Sequence, residues 1–269
     1  MHLRPAFKAG LPLINNIMKN GLFTYGCSHT YGYGLPDTKQ EVRVPLETNF
    51  NKETFQNFGS TYNWGQHIAN KWDLEYYNFG VSGANNREIF HWTNECVKHN
   101  MIQKTDKVIF FWNNFGSRWS IFKDPSDRFE NRLLENQYPQ GLPAIRMFLH
   151  DPKKTYDRWF EVYHSSSEAE VANWHYIHYT NLLIEKIGIT PINFFTEPPW
   201  VYPNKEFRYE SVTKNYFRDQ LKYACPILFL DKNIPFLDYA SDNSHAGMSQ
   251  HKKWAKQMLQ WLDEQGYES

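Results

Sequence analysis

The feature that most constrains the fold is an alternation of short apolar runs with amphipathic helical segments. The run 107–112 (Lys-Val-Ile-Phe-Phe-Trp) is apolar on both faces of an extended chain, which is typical of a central strand in a parallel sheet. Further strands are predicted at 22–25, 75–79, 191–196 and 227–230. This alternation predicts an α/β fold: a three-layer α/β/α sandwich around a central parallel five-stranded sheet.

Helical periodicity fills the intervals between these strands. Helices are predicted at about 11–19, from Thr61, after Asn86, at about 166–186, at about 210–223 and after His245. Two intervals lack a clear period. Residues 35–60 form a predicted long loop, and about 116–165 form a predicted insertion, a lid or substrate-binding subregion, within one domain that spans 1–269.

Composition excludes several classes of function. The chain has 269 residues with 29 basic and 29 acidic side chains and no basic run, so a nucleic-acid partner is not expected. The N-terminus has no secretory signal, and no stretch has the apolar length of a membrane span. Cys27, Cys96 and Cys225 are widely spaced and fit neither a disulfide framework nor a zinc site. We therefore expect no membrane partner and a reducing compartment.

Residues with catalytic chemistry follow the predicted strands. Ser28 follows the first strand, Gly80 the second, and Asn113 and Asn114 the third, while Asp242 and His245 precede the last helix. Because parallel sheets bind ligands beyond the carboxyl ends of their strands, we expect these residues to lie near one another.

Together they could form an acyl-transfer site. Ser28 would attack as the nucleophile, His245 would act as general base, and Asp242, three residues earlier, would hold the imidazole in its productive tautomer. The oxyanion donors would be the backbone N–H groups of Ser28 and Gly80 and a side-chain amide of Asn113 or Asn114.

Each residue also has a structural interpretation. Ser28 could cap a turn or a helix, and Asp242 could cap the last helix. Asn78-Phe79-Gly80 could be an ordinary turn at a strand end, and Asn113-Asn114 a helix cap. It is the combination, in this order and at these strand ends, that favours a site.

The pattern resembles the SGNH (GDSL-like) hydrolases, including divergent, phage-like members. That family carries Ser, Gly, Asn and His in four sequence blocks, with Asp three residues before the His, and Ser28, Gly80, Asn113, His245 and Asp242 match it. The resemblance implies a flavodoxin-like strand order and a serine esterase that needs no metal or cofactor. It also implies substrate-binding roles for Trp112 and Arg118, which suit variant forms of the third block, and a cytoplasmic or virion-associated protein.

Two blocks depart from the family pattern. Cys27 stands where the family usually has Asp, and Phe111-Trp112-Asn113-Asn114 replaces Gly-x-Asn-Asp. These departures keep open a binding or structural protein that has lost turnover. The same site could also support an acyltransferase. The aromatic residues of 112–163 suggest a small-molecule or carbohydrate substrate, such as a sugar O-acetyl ester, although they fit a minor core equally well.

Overall fold

A computed structural model describes residues 20–38, 55–56, 59–113, 118–122, 144–148, 166–195, 223–225 and 235–267, with backbone alone at 118–122, 144–148, 166–170 and 223–225. Its main sheet has five parallel strands: β1 (Gly21–Gly26), β2 (Glu75–Gly80), β3 (Lys107–Trp112), β6 (Ile192–Phe195) and β7 (Tyr223–Cys225). The spatial order is β2-β1-β3-β6-β7, with every pair parallel. This order reverses direction between β1 and β3, as the flavodoxin-like prediction requires.

Helices cover both faces of this sheet. They are α1 (Ser28–Tyr31), α2 (Trp64–Trp72), α3 (Asn86–Lys98), α4 (Ser166–Lys186) and α5 (Met248–Glu264). None of the helices in the described ranges is long and apolar enough to cross a membrane.

Alternate residues of each strand point to opposite faces and build two separate cores. Phe23, Phe110 and Phe195 pack with side chains of α3 and α4. Their strand neighbours Leu22, Ile109 and Phe194 pack instead with α2 and α5, through residues such as Trp64 and Trp254. The predicted three-layer α/β/α sandwich is therefore confirmed.

The predicted elements match the structure closely except near the fifth strand. Strand 107–112 and helix 166–186 have the predicted bounds. The fifth strand lies at Tyr223–Cys225, so residue 223, assigned by the sequence to the end of a helix, is extended. The predicted strand 227–230, the leading helix 11–19 and most of the loop 35–60 lie outside the described residues.

Part of the predicted insertion forms a second, small sheet. Strands β4 (Arg118–Phe122) and β5 (Ala144–Phe148) pair antiparallel, with Ser120 opposite Arg146. These strands are not part of the five-stranded sheet. That 116–165 is an insertion in a single domain 1–269 stays a prediction.

Candidate active site

Ser28 is the first residue of the short helix α1, directly after the carboxyl end of β1. Its side chain is 5% exposed. Its carbonyl oxygen accepts hydrogen bonds from the backbone N–H groups of Gly32 (2.9 Å) and Tyr33 (3.0 Å). Within the described part of the chain, neither the Ser28 hydroxyl nor its N–H makes a hydrogen bond. Both groups therefore keep their hydrogen-bonding capacity within this part of the chain.

Two buried amides hold α1 in place. Asn63 and Asn78 both donate from Nδ2 to the carbonyl oxygen of Thr30, at 3.1 and 3.0 Å. Gly80 lies directly beneath this carbonyl, since a Cβ there would come within 2.3 Å of the Tyr31 nitrogen. The absence of a side chain at Gly80 thus lets the end of β2 support the helix that carries Ser28.

Asp242 and His245 form a close pair in the loop before α5. Oδ2 of Asp242 lies 2.5 Å from Nδ1 of His245, and the same oxygen accepts from the Ser244 hydroxyl at 2.9 Å. Oδ1 accepts from the backbone N–H groups of His245 (3.0 Å) and Ser244 (3.1 Å). One carboxylate therefore shapes the loop and holds the imidazole ring.

These hydrogen bonds set the charge state of Asp242. Partial burial by itself would raise the pKa of Asp242, but hydrogen bonds from the His245 backbone and ring and from Ser244 outweigh it and hold the pKa well below its usual value. Asp242 is thus ionised at neutral pH, and a carboxylate facing Nδ1 favours the tautomer with hydrogen on Nδ1. Nε2 of His245 then carries the lone pair that a general base needs.

The loop that carries this pair packs against the segment that follows Ser28. The N–H and hydroxyl of Ser241 donate to the Gly34 carbonyl oxygen, at 3.0 and 2.9 Å. The imidazole ring of His245 lies next to Tyr33, with 5.1 Å between ring centroids, and next to His29 at 5.4 Å. The structure thus brings His245 beside the turn of Ser28, although the two side chains do not hydrogen-bond to each other.

A different carboxylate caps the last helix. Asp238 accepts from the backbone N–H groups of Ser249 (2.9 Å) and Gln250 (2.8 Å) at the start of α5. The Ncap residue is Gly247, and a Cβ on it would come within 2.5 Å of the Asp238 carboxyl carbon. The capping interpretation of Asp242 is therefore wrong, because Asp238 supplies that function from outside the helix.

The predicted oxyanion donors differ in their availability. Asn113 is buried and donates from Nδ2 to the Ala84 carbonyl oxygen at 2.7 Å, while the second hydrogen on Nδ2 has no acceptor among the described residues. The N–H of Gly80 donates to Oδ1 of Asn78 at 2.8 Å. This bond occupies the only donor that Gly80 has, which counts against its predicted role as an oxyanion donor.

Gly83 presents a free N–H close to Asn113. It lies in a turn closed by a 2.9 Å hydrogen bond from the Ala84 N–H to the Val81 carbonyl oxygen, with φ of +75°. A central residue of such a turn directs its N–H away from the turn, and no described residue accepts it. Asn113 is bonded to Ala84, the residue that follows Gly83.

The predicted substrate-binding role of Trp112 is wrong in this structure. Its side chain is 0% exposed, it stacks on Phe110, and its indole N–H donates to Oδ1 of Asn193 at 2.7 Å. A ring packed in the core with its polar atom already bonded has no surface left for a ligand. Arg118 begins β4, but its side chain lies outside the described part of the structure, as does the whole of Asn114.

Sequence reasoning missed three residues of this region: Tyr33, Gly83 and Asp238. Tyr33 and Gly83 each lie within a few residues of a predicted catalytic position, and that proximity was the available signal. Asp238 gave no signal, because a capping residue ten positions before its helix matches no local pattern. No group of three or more metal-ligating side chains occurs within the ranges that the structure describes.

No protein-family model matches the sequence, and a comparison with curated proteins finds no match. Several solved structures are similar to it at low identity. A member of the lipolytic protein G-D-S-L family from Veillonella parvula DSM 2008 is 10% identical, with a TM-score of 0.42 over 90% of this chain and 98% of that one. The acetyl xylan esterase Est2A from the rumen bacterium Butyrivibrio proteoclasticus is 12% identical, with a TM-score of 0.49 over 94% of this chain and 66% of that one. A variant acetyl xylan esterase from Geobacillus stearothermophilus is 15% identical, with a TM-score of 0.44 over 94% of this chain and 98% of that one. Similarities this low identify neither a family nor an activity.

Proposed function

We propose that the protein is a serine esterase that uses Ser28, His245 and Asp242. The observation that carries the proposal is the 2.5 Å contact between Asp242 and Nδ1 of His245, in a loop fastened to the segment after Ser28. A purely structural origin for this contact is weakened by Asp238, which already caps the helix that the loop precedes.

The proposed chemistry follows from the charge states. Nε2 of His245 takes the proton of the Ser28 hydroxyl as Oγ attacks the ester carbonyl carbon. The tetrahedral intermediate collapses when the same proton passes to the departing alcohol, leaving an acyl-enzyme. Water, activated by His245, then attacks the acyl carbon, releases the carboxylic acid and restores the Ser28 hydroxyl.

The oxyanion donors in this proposal are the N–H of Ser28, the N–H of Gly83 and Nδ2 of Asn113. We assign Gly83 in place of Gly80 because the Gly80 N–H is bonded to Asn78. Donors of this kind act in the transition state, so their loss lowers kcat more than it changes KM.

The test is hydrolysis of 4-nitrophenyl acetate by the wild type and by Ser28→Ala and His245→Ala. We expect each variant to lose about 10³-fold or more in kcat, because the two residues act as one unit. His178→Ala, a change on α4 on the other side of the sheet, is the control and should keep wild-type turnover. Equal rates in the wild type and Ser28→Ala would contradict the proposal.

A second candidate, a binding protein without turnover, is favoured by the missing hydrogen bond between Ser28 and His245. Such bonds are often long without substrate, which is why we rank the esterase first. No hydrolysis of any ester by the wild type, with intact binding of an ester, would support this second candidate. An acyltransferase would instead yield a new ester when a competing alcohol is added.

The substrate proposal is a carbohydrate O-acetyl ester, and it rests on the aromatic residues of 112–163. Most of that segment lies outside the described residues, and Trp112 at its start is a core residue. A panel of acetylated sugars and simple alkyl acetates tests it. Equal kcat/KM values for the two groups would contradict it.

A further inference from the structure

The structure assigns Tyr33 to the leaving-group side of the site, as a residue that selects alcohols carrying a ring next to the ester oxygen. This inference rests on the proposed esterase function. Its basis is the contact between the rings of Tyr33 and His245, whose centroids are 5.1 Å apart at an interplanar angle of 54°.

The position of Tyr33 is fixed by the backbone on both sides. Its N–H donates to the Ser28 carbonyl oxygen at 3.0 Å. Its neighbours Gly32 and Gly34 have φ of +80° and +78°, a conformation that strongly favours glycine. A Cβ at Gly34 would come within 3.3 Å of the Asp242 carboxyl group. The backbone of Tyr33 is therefore held between the Ser28 helix and the Asp242 loop.

The proton transfer by His245 indicates where the departing alcohol lies relative to Tyr33. His245 takes the Ser28 proton and passes it to the oxygen of the departing alcohol, so that alcohol must lie against the Nε2 edge of the ring. We therefore assign the side chain of Tyr33, whose ring contacts this imidazole, to the alcohol side of the site. Tyr33 is 38% exposed, so it is not enclosed in the core as Ser28 is.

The open surface of Tyr33 is flat and largely apolar. Rings stack or meet edge to face on such a surface, which adds affinity beyond simple burial. A flexible alkyl chain gains less, because it must also be ordered on the surface. An alcohol with a flat ring close to its oxygen is thus the chemistry that Tyr33 fits.

The experiment compares benzyl acetate with n-heptyl acetate, two esters of primary alcohols with the same acyl group and the same number of carbons. For Tyr33→Ala we expect kcat/KM to fall about 5- to 10-fold more for benzyl acetate than for n-heptyl acetate, from the size of aromatic contacts. Tyr33→Phe should keep the wild-type ratio, because the argument uses the ring face and not the hydroxyl. Tyr179→Ala removes an exposed Tyr from α4 and is the matched control.

Two outcomes would overturn the assignment. An unchanged ratio in Tyr33→Ala would show that the ring does not meet the alcohol. An equal loss for both esters would show that Tyr33 only positions His245.

A binding measurement separates this inference from the esterase proposal. Benzyl acetate and n-heptyl acetate are titrated into Ser28→Ala and into Ser28→Ala/Tyr33→Ala, where no hydrolysis through Ser28 occurs. If the wild type hydrolyses no ester, the esterase proposal fails. The inference about Tyr33 is still supported if the double variant binds benzyl acetate more weakly than Ser28→Ala does while both bind n-heptyl acetate equally well. If Tyr33→Ala changes the affinity for neither ester, the assignment of Tyr33 is overturned as well.

Discussion

At the scale of single residues, the Asp242 carboxylate does two things with four hydrogen bonds. Two come from the backbone of the loop and two from the side chains of Ser244 and His245. The spacing of Asp and His predicted the bond to the ring. It did not predict that the same carboxylate builds the turn, so a substitution at Asp242 alters the loop as well as the imidazole.

We predict that Asp242→Asn lowers kcat for 4-nitrophenyl acetate by about 10³- to 10⁴-fold, because an amide can offer N–H to Nδ1 and favour the wrong tautomer. KM should change little, since Asp242 does not touch the ester in the proposed mechanism. Asp263→Asn, an exposed change on α5, is the control. Wild-type kcat in Asp242→Asn would remove Asp242 from the proposed catalytic group.

Gly80 illustrates how one glycine can have two different explanations. The sequence block predicted a glycine with a free N–H. The structure shows an occupied N–H and a backbone that must approach Tyr31 and Thr30 without a side chain. Sequence identifies that a position needs glycine, but only coordinates tell whether the reason is a donor or a close approach.

We predict that Gly80→Ala destabilises the protein by about 1–3 kcal/mol, because its Cβ meets backbone atoms that cannot move aside cheaply. Activity should fall together with stability, since α1 carries Ser28. Chemical denaturation and 4-nitrophenyl acetate turnover measure the two effects. Lost turnover at unchanged stability would contradict the packing explanation and would instead indicate that the Gly80 N–H acts as an oxyanion donor.

We predict that Asn113→Ala lowers kcat by about 10²- to 10³-fold with a small change in KM, as expected for one lost oxyanion donor. The variant also removes the hydrogen bond to the Ala84 carbonyl oxygen, so its stability is measured alongside. Asn70→Ala, on the surface of α2, serves as the control. An increase in KM with unchanged kcat would instead indicate a substrate-binding role for Asn113.

At the scale of elements, periodicity predicted the strands of the sheet and the helices that pack on its two faces. Strand β3 was recognisable because it is apolar on both faces, and α4 because it begins with Ser and Glu and ends before Gly188. The strand Tyr223–Cys225 was not predicted, because three residues carry too little pattern to compete with the apolar run at 227–230, which lies outside the described residues.

The start of α5 shows that an element can depend on a residue outside it. We predict that Asp238→Ala lowers the free energy of unfolding by about 1–2 kcal/mol, the usual cost of removing a helix cap. Urea denaturation measures this, with Asp263→Ala as the control. No loss of stability would show that water replaces the carboxylate at the Ser249 and Gln250 N–H groups.

At the scale of the whole molecule, the strand order places the proposed site where such sheets bind ligands. β1 and β3 are neighbours at the point where the order reverses, and Ser28 and Asn113 directly follow them. The alternation of strands and helices was sufficient to predict this edge. It could not predict how the last helix is joined to the rest, because that depends on contacts between residues far apart in the chain.

One of those contacts is His251 on α5, whose Nδ1 accepts the Trp64 N–H of α2 at 3.2 Å. Burial, with a smaller effect from His67 and His245, lowers the pKa of His251 to about 3. In the folded protein this imidazole is neutral down to about pH 3, whereas in the unfolded chain it takes up a proton below its ordinary value of 6.5. The unfolded state therefore binds more protons between these values, and folding is weakened as pH falls.

We predict that His251 makes the free energy of unfolding fall by about 1.4 kcal/mol for each pH unit between about pH 6 and pH 4. Urea denaturation over this range measures the slope in the wild type and in His251→Asn, whose side-chain oxygen can accept the Trp64 N–H but does not titrate. His67 and His91, whose pKa values burial also lowers, contribute in the same direction in both proteins, so the difference between the two slopes isolates His251. The slope should be smaller in His251→Asn by about this amount. Parallel slopes would mean that His251 is protonated in the folded state, and the proposed neutral link between α2 and α5 would be wrong.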